Sequence, residues 1–305
     1  MSNISASLVK ELREKTGAGM MDCKNALTEN NGDIESSVDW LRTKGLAKAA
    51  KKSGRVASEG LIAISSSESF SVIVEVNSET DFVARNESFQ DVANTISQLG
   101  LLSSNIDDLK IQKIENKDVN VEEYITEMIS SIGENINLRR MIRFESSNTN
   151  IASYIHGQVS EGLGKIGVMV NLKSTVNNEM VNELGKKIAM HIAATNPLSI
   201  SIDGIPSDTL ERERNILIEE ARESGKPEEI IEKMIEGRLK KFYQESVLLE
   251  QTYVIDGESR VADVLNSLDS PVEIIDFVRY ELGEGIEKES GDDFASEVDS
   301  MVSGN

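Results

Sequence analysis

The sequence predicts an α+β protein: a small three-helix bundle, then two related α+β core units, an antiparallel helical hairpin, and a short helical C-terminal module. Three observations predict it. Apolar residues recur at helical spacing near the N-terminus. Two strand-like runs followed by a helical stripe occur twice, and a highly charged stretch with two long helical patterns follows the second occurrence.

The first unit spans residues 1–55. Leu8 and Leu12 begin the apolar face of one helix, which Gly17-Ala18-Gly19 ends. Met20, Cys23, Ala26 and Leu27 carry a second, stopped by the turn residues Asn30-Asn31-Gly32. Asp33 is placed to cap a third, in which Ile34, Val38 and Leu41 recur. Residues 45–59, GLAKAAKKSGRVASE, are basic and built of small side chains, and read as a linker.

A core unit follows over residues 56–145. Leu61 to Ile64 and Phe70 to Val76 read as strands. In the second, Phe70, Val72, Val74 and Val76 alternate with Ser71, Ile73 and Glu75, the period of a half-buried strand. Phe89, Val92, Ile96 and Leu99 then recur as an amphipathic helix. Residues 103–120 are polar and show no period; 121–132 are helical again. The same order returns at 146–196, with strands at Ile151 to Ile155 and Ile166 to Leu172. There Val181, Leu184, Ile188, His191 and Ile192 form one stripe. Residues 246–282 return to mixed apolar segments. Before them, 197–245 hold two charged helices joined by Ser224-Gly225-Lys226-Pro227, with Ile231, Ile235, Leu239 and Phe242 on one face. Such a hairpin either folds against its own domain or projects as an arm with a stripe for a partner. Residues 283–305 end in a short acidic helix that aligns Phe294, Val298 and Met301.

Composition narrows the function. The chain of 305 residues is longer than one core usually organises, and 39% hydrophobic with 28% charged residues fits a globular protein. No apolar run approaches the roughly 20 residues that span a bilayer. The start, MSNISASLVKEL, lacks the basic and apolar blocks of a signal peptide, so a cytoplasmic location is expected. Cys23 has no cysteine to pair with, which fits a reducing compartment. Two histidines and one cysteine do not make an ordinary zinc site. The net charge of −21 is hostile to nucleic acid, but residues 1–55 carry ten basic against seven acidic side chains. A mildly basic head on an acidic body suits a protein partner at least as well as RNA.

One motif imitates chemistry. Gly162-Leu163-Gly164-Lys165-Ile166-Gly167 spells G-x-G-x-x-G, yet it runs into the strand IGVMVNL instead of a helix N-terminus. It lacks the context of a dinucleotide site, and no phosphate loop occurs elsewhere. His191 shares a face with Leu184 and Ile188 and reads as a satisfied core histidine. His156, before Gly157 at a strand end, reads as exposed. Nothing in the pattern requires an enzyme, a cofactor or a metal.

The stretch EVNSETDFVARN (75–86) poses the sharper question. Phe82 lies seven residues before Phe89, so in one continuous helix it shares the buried stripe, and spacing alone favours a core role. Asp81 then sits in a helix's first turn, where the dipole stabilises a carboxylate.

Together with LVKELREKTGAGMMDCKNAL (8–27), this stretch closely resembles the two signature segments of the elongation factor Ts family, the bacterial exchange factors for elongation factor Tu. The resemblance continues through IGENINLRR (132–140), IAMHIAATNP (188–197), SGKPEEIIEKMIEGRLKKF (224–242) and VRYELGEGIEKE (278–289). It implies a ubiquitin-associated-like N-terminal bundle, two related subdomains, a coiled-coil dimerisation region at 197–245 inserted in the second of them (146–196 and 246–282), and a C-terminal module at 283–305. It also implies that the chain binds elongation factor Tu carrying GDP, disturbs its Mg²⁺ site and promotes exchange for GTP. A non-catalytic holding factor for the same partner is the alternative. By resemblance, Thr80, Asp81, Phe82 and Val83 disturb the metal site, while Leu12, Met20, Met21, His156 and Phe294 add contacts. The hairpin would build a homodimer or a two-plus-two complex. The link QVSEGLGK (158–165) is longer than the family's usual one.

Overall fold

The computed structural model describes residues 4–147, 149–175, 179–223, 228–268 and 271–287. In chain order it begins with helices α1 (Ala6–Thr16), α2 (Met20–Glu29) and α3 (Ile34–Lys52). Strands β1 (Glu59–Ser66) and β2 (Phe70–Ser78) lead to α4 (Asp81–Ala84), α5 (Glu87–Gly100), α6 (Ile106–Ile111) and α7 (Val121–Ile132). Then come β3 (Ile136–Glu145), β4 (Asn150–His156), β5 (Leu163–Gly164), β6 (Ile166–Ser174) and α8 (Glu179–Thr195). The chain continues through α9 (Ser207–Glu223), α10 (Glu228–Ser246), α11 (Val261–Asn266) and β7 (Val272–Glu281).

Two antiparallel sheets organise these elements, one ordered β3-β2-β1-β5 and the other β4-β6-β7. Strand alternation sorts their side chains between layers. Val72, Val74 and Val76 of β2 point to a core shared with Phe89, Val92 and Ile96 of α5. Ile73 points the other way, onto Met169, Val278 and Tyr280 of the second sheet. Val168, Val170 and Leu172 of β6 face Val181, Leu184, Ile188 and Ile192 of α8. The order is therefore helices, sheet, sheet, helix.

That layering corrects the expected half-buried strand. β2 is covered on both faces, and even Glu75 is fully buried. A bulge makes this tolerable. Glu75 faces Arg140 and Val76 faces Leu138, so Arg139 is an extra residue in β3. Arg139 and Arg140, which regular alternation would send to opposite faces, both reach the Glu75 carboxylate. It also accepts bonds from the Asn77 amide and the Gly283 N–H. Burial works to raise the Glu75 pKa, but these hydrogen bonds and the Arg140 charge hold it below the usual carboxylate value.

The expected linker is mostly helix. α3 runs on through Ala47, Ala49 and Ala50 to Lys52, as strong helix formers allow. Its far half packs on α7, where Gly45 lies against Ser130. Arg42 bonds Glu123 of α7, and the Lys52 ammonium bonds the Gly133 carbonyl. The polar stretch 103–120 folds too, with Asn105 capping α6 through Asp107 N–H and Asp108 N–H at 3.0 and 2.9 Å.

The G-x-G-x-x-G stretch is a packing device. β5 crosses from the β4 end to pair with β1, and the chain then returns to β6. A Cβ on Gly164 would lie 2.4 Å from Ile155 Cγ2, and one on Gly167 would lie 2.6 Å from Ile62 Cγ2. Glycine is needed because the two sheets approach so closely there. Helices α9 and α10 pack on each other, and their base is closed by Leu198 N–H to Ser246 C=O at 2.8 Å and Leu248 N–H to Ser199 C=O at 2.9 Å. Among the described residues they project as an arm and do not fold back on either sheet.

Candidate functional site

The segment 79–86 departs from its predicted form in one respect that matters. Spacing places Phe82 in the α5 stripe; in the structure it is 76% exposed, while Phe89 is wholly buried. The helix is not continuous. α4 ends at Arg85, and Asn86 caps a separate α5 by accepting the Ser88 N–H at 2.9 Å. The break resets the helical phase, so a seven-residue interval no longer means a shared face.

α4 is a ledge of four residues. Val83 and Ala84 are its buried side, sunk into the core beneath β1 and β2. Val83 is thus an anchor, and it also lines the floor of the groove beside Phe82. Thr80 is likewise held inward: its N–H and its hydroxyl donate to the two carboxylate oxygens of Glu134, at 2.9 and 2.6 Å. Asp81 stands half-exposed in the first turn and pairs with Arg85 at 2.7 Å. Of the four residues, Asp81 and Phe82 face solvent.

Beside Phe82 runs an open groove lined by Gly17, Asn86, Asp91, Tyr124 and Met128. Gly17 comes from the N-terminal bundle, so the docking of α3 on α7 brings the α1–α2 turn to the ledge. Asp91 and Glu127 flank Tyr124. Burial raises the tyrosine's pKa, and both carboxylates add to that; burial also raises Glu127, against the pull of Lys117 and Arg42.

Met20 and Met21 of α2 are exposed, and Met20 lines a shallow hollow with Lys10 and Arg13. Leu12 is fully buried in the bundle, packed with Cys23 and Leu27 behind that face. Burial pushes the Cys23 thiol pKa up, so it is an inert core residue. His156 is exposed at the end of β4, its Nδ1 3.2 Å from the Tyr154 hydroxyl, and it does not line the groove. His191 is the satisfied core histidine expected: Nε2 meets Gln251 Oε1 at 2.9 Å and Nδ1 accepts the Val254 N–H at 3.2 Å. Phe294 and its helix lie outside the described residues.

Sequence reasoning missed Glu134, Glu79, Asn135 and Arg55. The Glu79 carboxylate accepts the Asn135 N–H at 2.5 Å and pairs with Arg55 at 3.3 Å, and the Asn135 amide donates to the Arg55 carbonyl at 2.8 Å. The available signal was the motif IGENINLRR, which contains two of them. Among the described residues no group of three His, Cys, Asp or Glu side chains could hold a metal ion, and no helix is long and apolar enough to cross a membrane.

What the fold and this face share is the chemistry of contact: an aromatic on a fixed ledge, exposed thioethers and paired charges. A family model described as "Elongation factor TS" matches residues 79–284. Proteins called elongation factor Ts from Allorhizobium ampelinum and Methylorubrum populi are 51% and 53% identical to this chain, over 100% and 99% of both chains. That from Paramagnetospirillum magneticum is 52% identical over 98% of this chain and 97% of its own. The chain belongs to the elongation factor Ts family, the translation factors of protein biosynthesis that bear that name.

Proposed function

We propose that this chain is a guanine-nucleotide exchange factor acting on elongation factor Tu in its GDP form. Phe82 and Asp81 enter the partner's GTPase domain and shift the elements that support its Mg²⁺ and phosphates. The free energy of the GDP-bound state rises, GDP leaves and GTP takes its place. Linkage requires GDP to weaken the factor's hold by the same ratio, so the ternary complex is transient. The chain supplies binding energy and no covalent chemistry, metal or cofactor of its own.

The observation that carries this reading is the exposure of Phe82 on a ledge anchored by Thr80, Val83 and Ala84. Burying a phenylalanine on a partner is worth about 1.5–3 kcal/mol, energy available for deforming that partner. Met20 and Met21 extend the face from a bundle of ubiquitin-associated type, with Leu12 supporting them from within. His156 and Tyr154 make a separate contact. The projecting hairpin mediates a homodimer or a two-plus-two assembly, and the protein works in the cytoplasm.

Release of fluorescent GDP from elongation factor Tu tests the reading. The chain should accelerate release, and Phe82→Ala should slow it by about tenfold or more. Binding without acceleration would assign the chain to holding or assembling its partner instead.

A further inference from the structure

We propose that Glu134 is a positioning residue for the contact made by Phe82: its carboxylate sets the aim of α4 by taking both donors of Thr80. This rests on the exchange reading above. A helix of one turn has too few internal hydrogen bonds to hold itself. The hydroxyl that would ordinarily cap α4, that of Thr80, makes no cap bond and donates to Glu134 Oε1 at 2.6 Å instead. The Thr80 N–H donates to Oε2 at 2.9 Å, and the Thr80 carbonyl accepts the Ser78 hydroxyl at 3.0 Å. Phe82 is 76% exposed, so its direction is inherited mainly from Thr80 at the start of the turn and from Val83 and Ala84 beneath it.

Glu134 is itself held on both sides. Lys52 bonds the Gly133 carbonyl, and the Asn135 N–H is taken by Glu79. Segments 79–80 and 134–135 therefore exchange carboxylates: each supplies a glutamate to the other's backbone N–H. Arg55, reached from the end of α3, closes the set by pairing with Glu79 and accepting from Asn135. Charge-assisted bonds of this kind are stronger than neutral ones and fix direction as well as distance. Losing Glu134 leaves Phe82 exposed but spreads its directions, and the ordering cost then falls on the encounter with the partner.

The test is stopped-flow release of fluorescent GDP from elongation factor Tu by full-length variants, with thermal melts alongside. Phe82→Ala serves as the reference. Glu134→Ala is expected to slow release about tenfold, as misplacement of a working group does. Thr80→Val, which removes one donor, should give a smaller loss, and Glu134→Gln, which keeps an acceptor for the Thr80 N–H, should recover part of the rate. The double variant Phe82→Ala/Glu134→Ala should release GDP no more slowly than Phe82→Ala, since a residue acting through Phe82 has nothing left to position. If Phe82→Ala slows release and Glu134→Ala does not, the positioning role is overturned while the exchange reading stands. If the two losses multiply in the double variant, Glu134 acts elsewhere and the proposal fails. Should Phe82→Ala itself have no effect, the site reading falls and this inference with it. Should Glu134→Ala fail to fold, the Thr80→Val and Glu134→Gln pair decides.

Discussion

α4 and α5 follow one another in the chain with two residues between them, and each carries a phenylalanine. Phe89 is enclosed by Val92, Ile96 and the strands below; Phe82 stands in solvent. α5 is long enough to be amphipathic, so its orientation is decided by what it buries. α4 is too short for that, and it is held from outside by Glu134 and by two small buried residues. A long helix with a stripe packs, and a short helix held at its ends presents.

The largest effect expected from this contrast is on the buried side. Phe89→Ala should cost about 3–5 kcal/mol of stability in denaturant unfolding, with exchange per folded molecule intact. A cost near zero would break the comparison. Asn86→Ala, which removes the cap that separates the two helices, should cost about 1 kcal/mol. A weaker, pH-confined effect comes from His191 in the second core. Burial lowers its pKa from the usual 6.5, with the Gln251 bond opposing. Below 6.5 the unfolded chain binds a proton that the folded chain refuses, so this contribution is fully present above that pH and is lost as the pH falls below it. Melting temperature should therefore drop between about pH 7 and about pH 5.5, and His191→Gln should flatten that slope where Phe82→Ala does not. The smallest effect is that of Phe82→Ala on stability, within about 0.5 kcal/mol as for other exposed positions. A loss as large as that of Phe89→Ala would mean that Phe82 is a core residue after all.

How much of this was legible varies with the range of the interaction involved. The helices at Leu8–Leu12, at Phe89–Leu99 and at Val181–Ile192 follow from apolar spacing, a local property. β3 escaped because INLRRMIRFE mixes charge with apolar residues, and its two arginines make sense only opposite the buried Glu75. The basic stretch after Gly45 resembled a linker because its charges meet partners distant in sequence: Lys48 pairs with Asp22, Lys52 with the Gly133 carbonyl and Arg55 with Glu79. At the site, Asp81 and Phe82 were legible through resemblance and not through spacing. Glu134 was hidden by its distance in sequence from Thr80.

The sequence by itself determined the helices at Leu8–Leu12, Phe89–Leu99 and Val181–Ile192, the strands at Phe70–Val76 and Ile166–Leu172, and the core role of His191. Each depends on residues that are neighbours along the chain. Tertiary structure alone decided that β2 is covered on both faces, that α3 continues to the α7 flank and that Phe82 stands free while Phe89 does not. Those outcomes depend on which distant groups supply a cap, a counter-charge or a covering layer, and side chains far apart in sequence carry no period that announces their meeting.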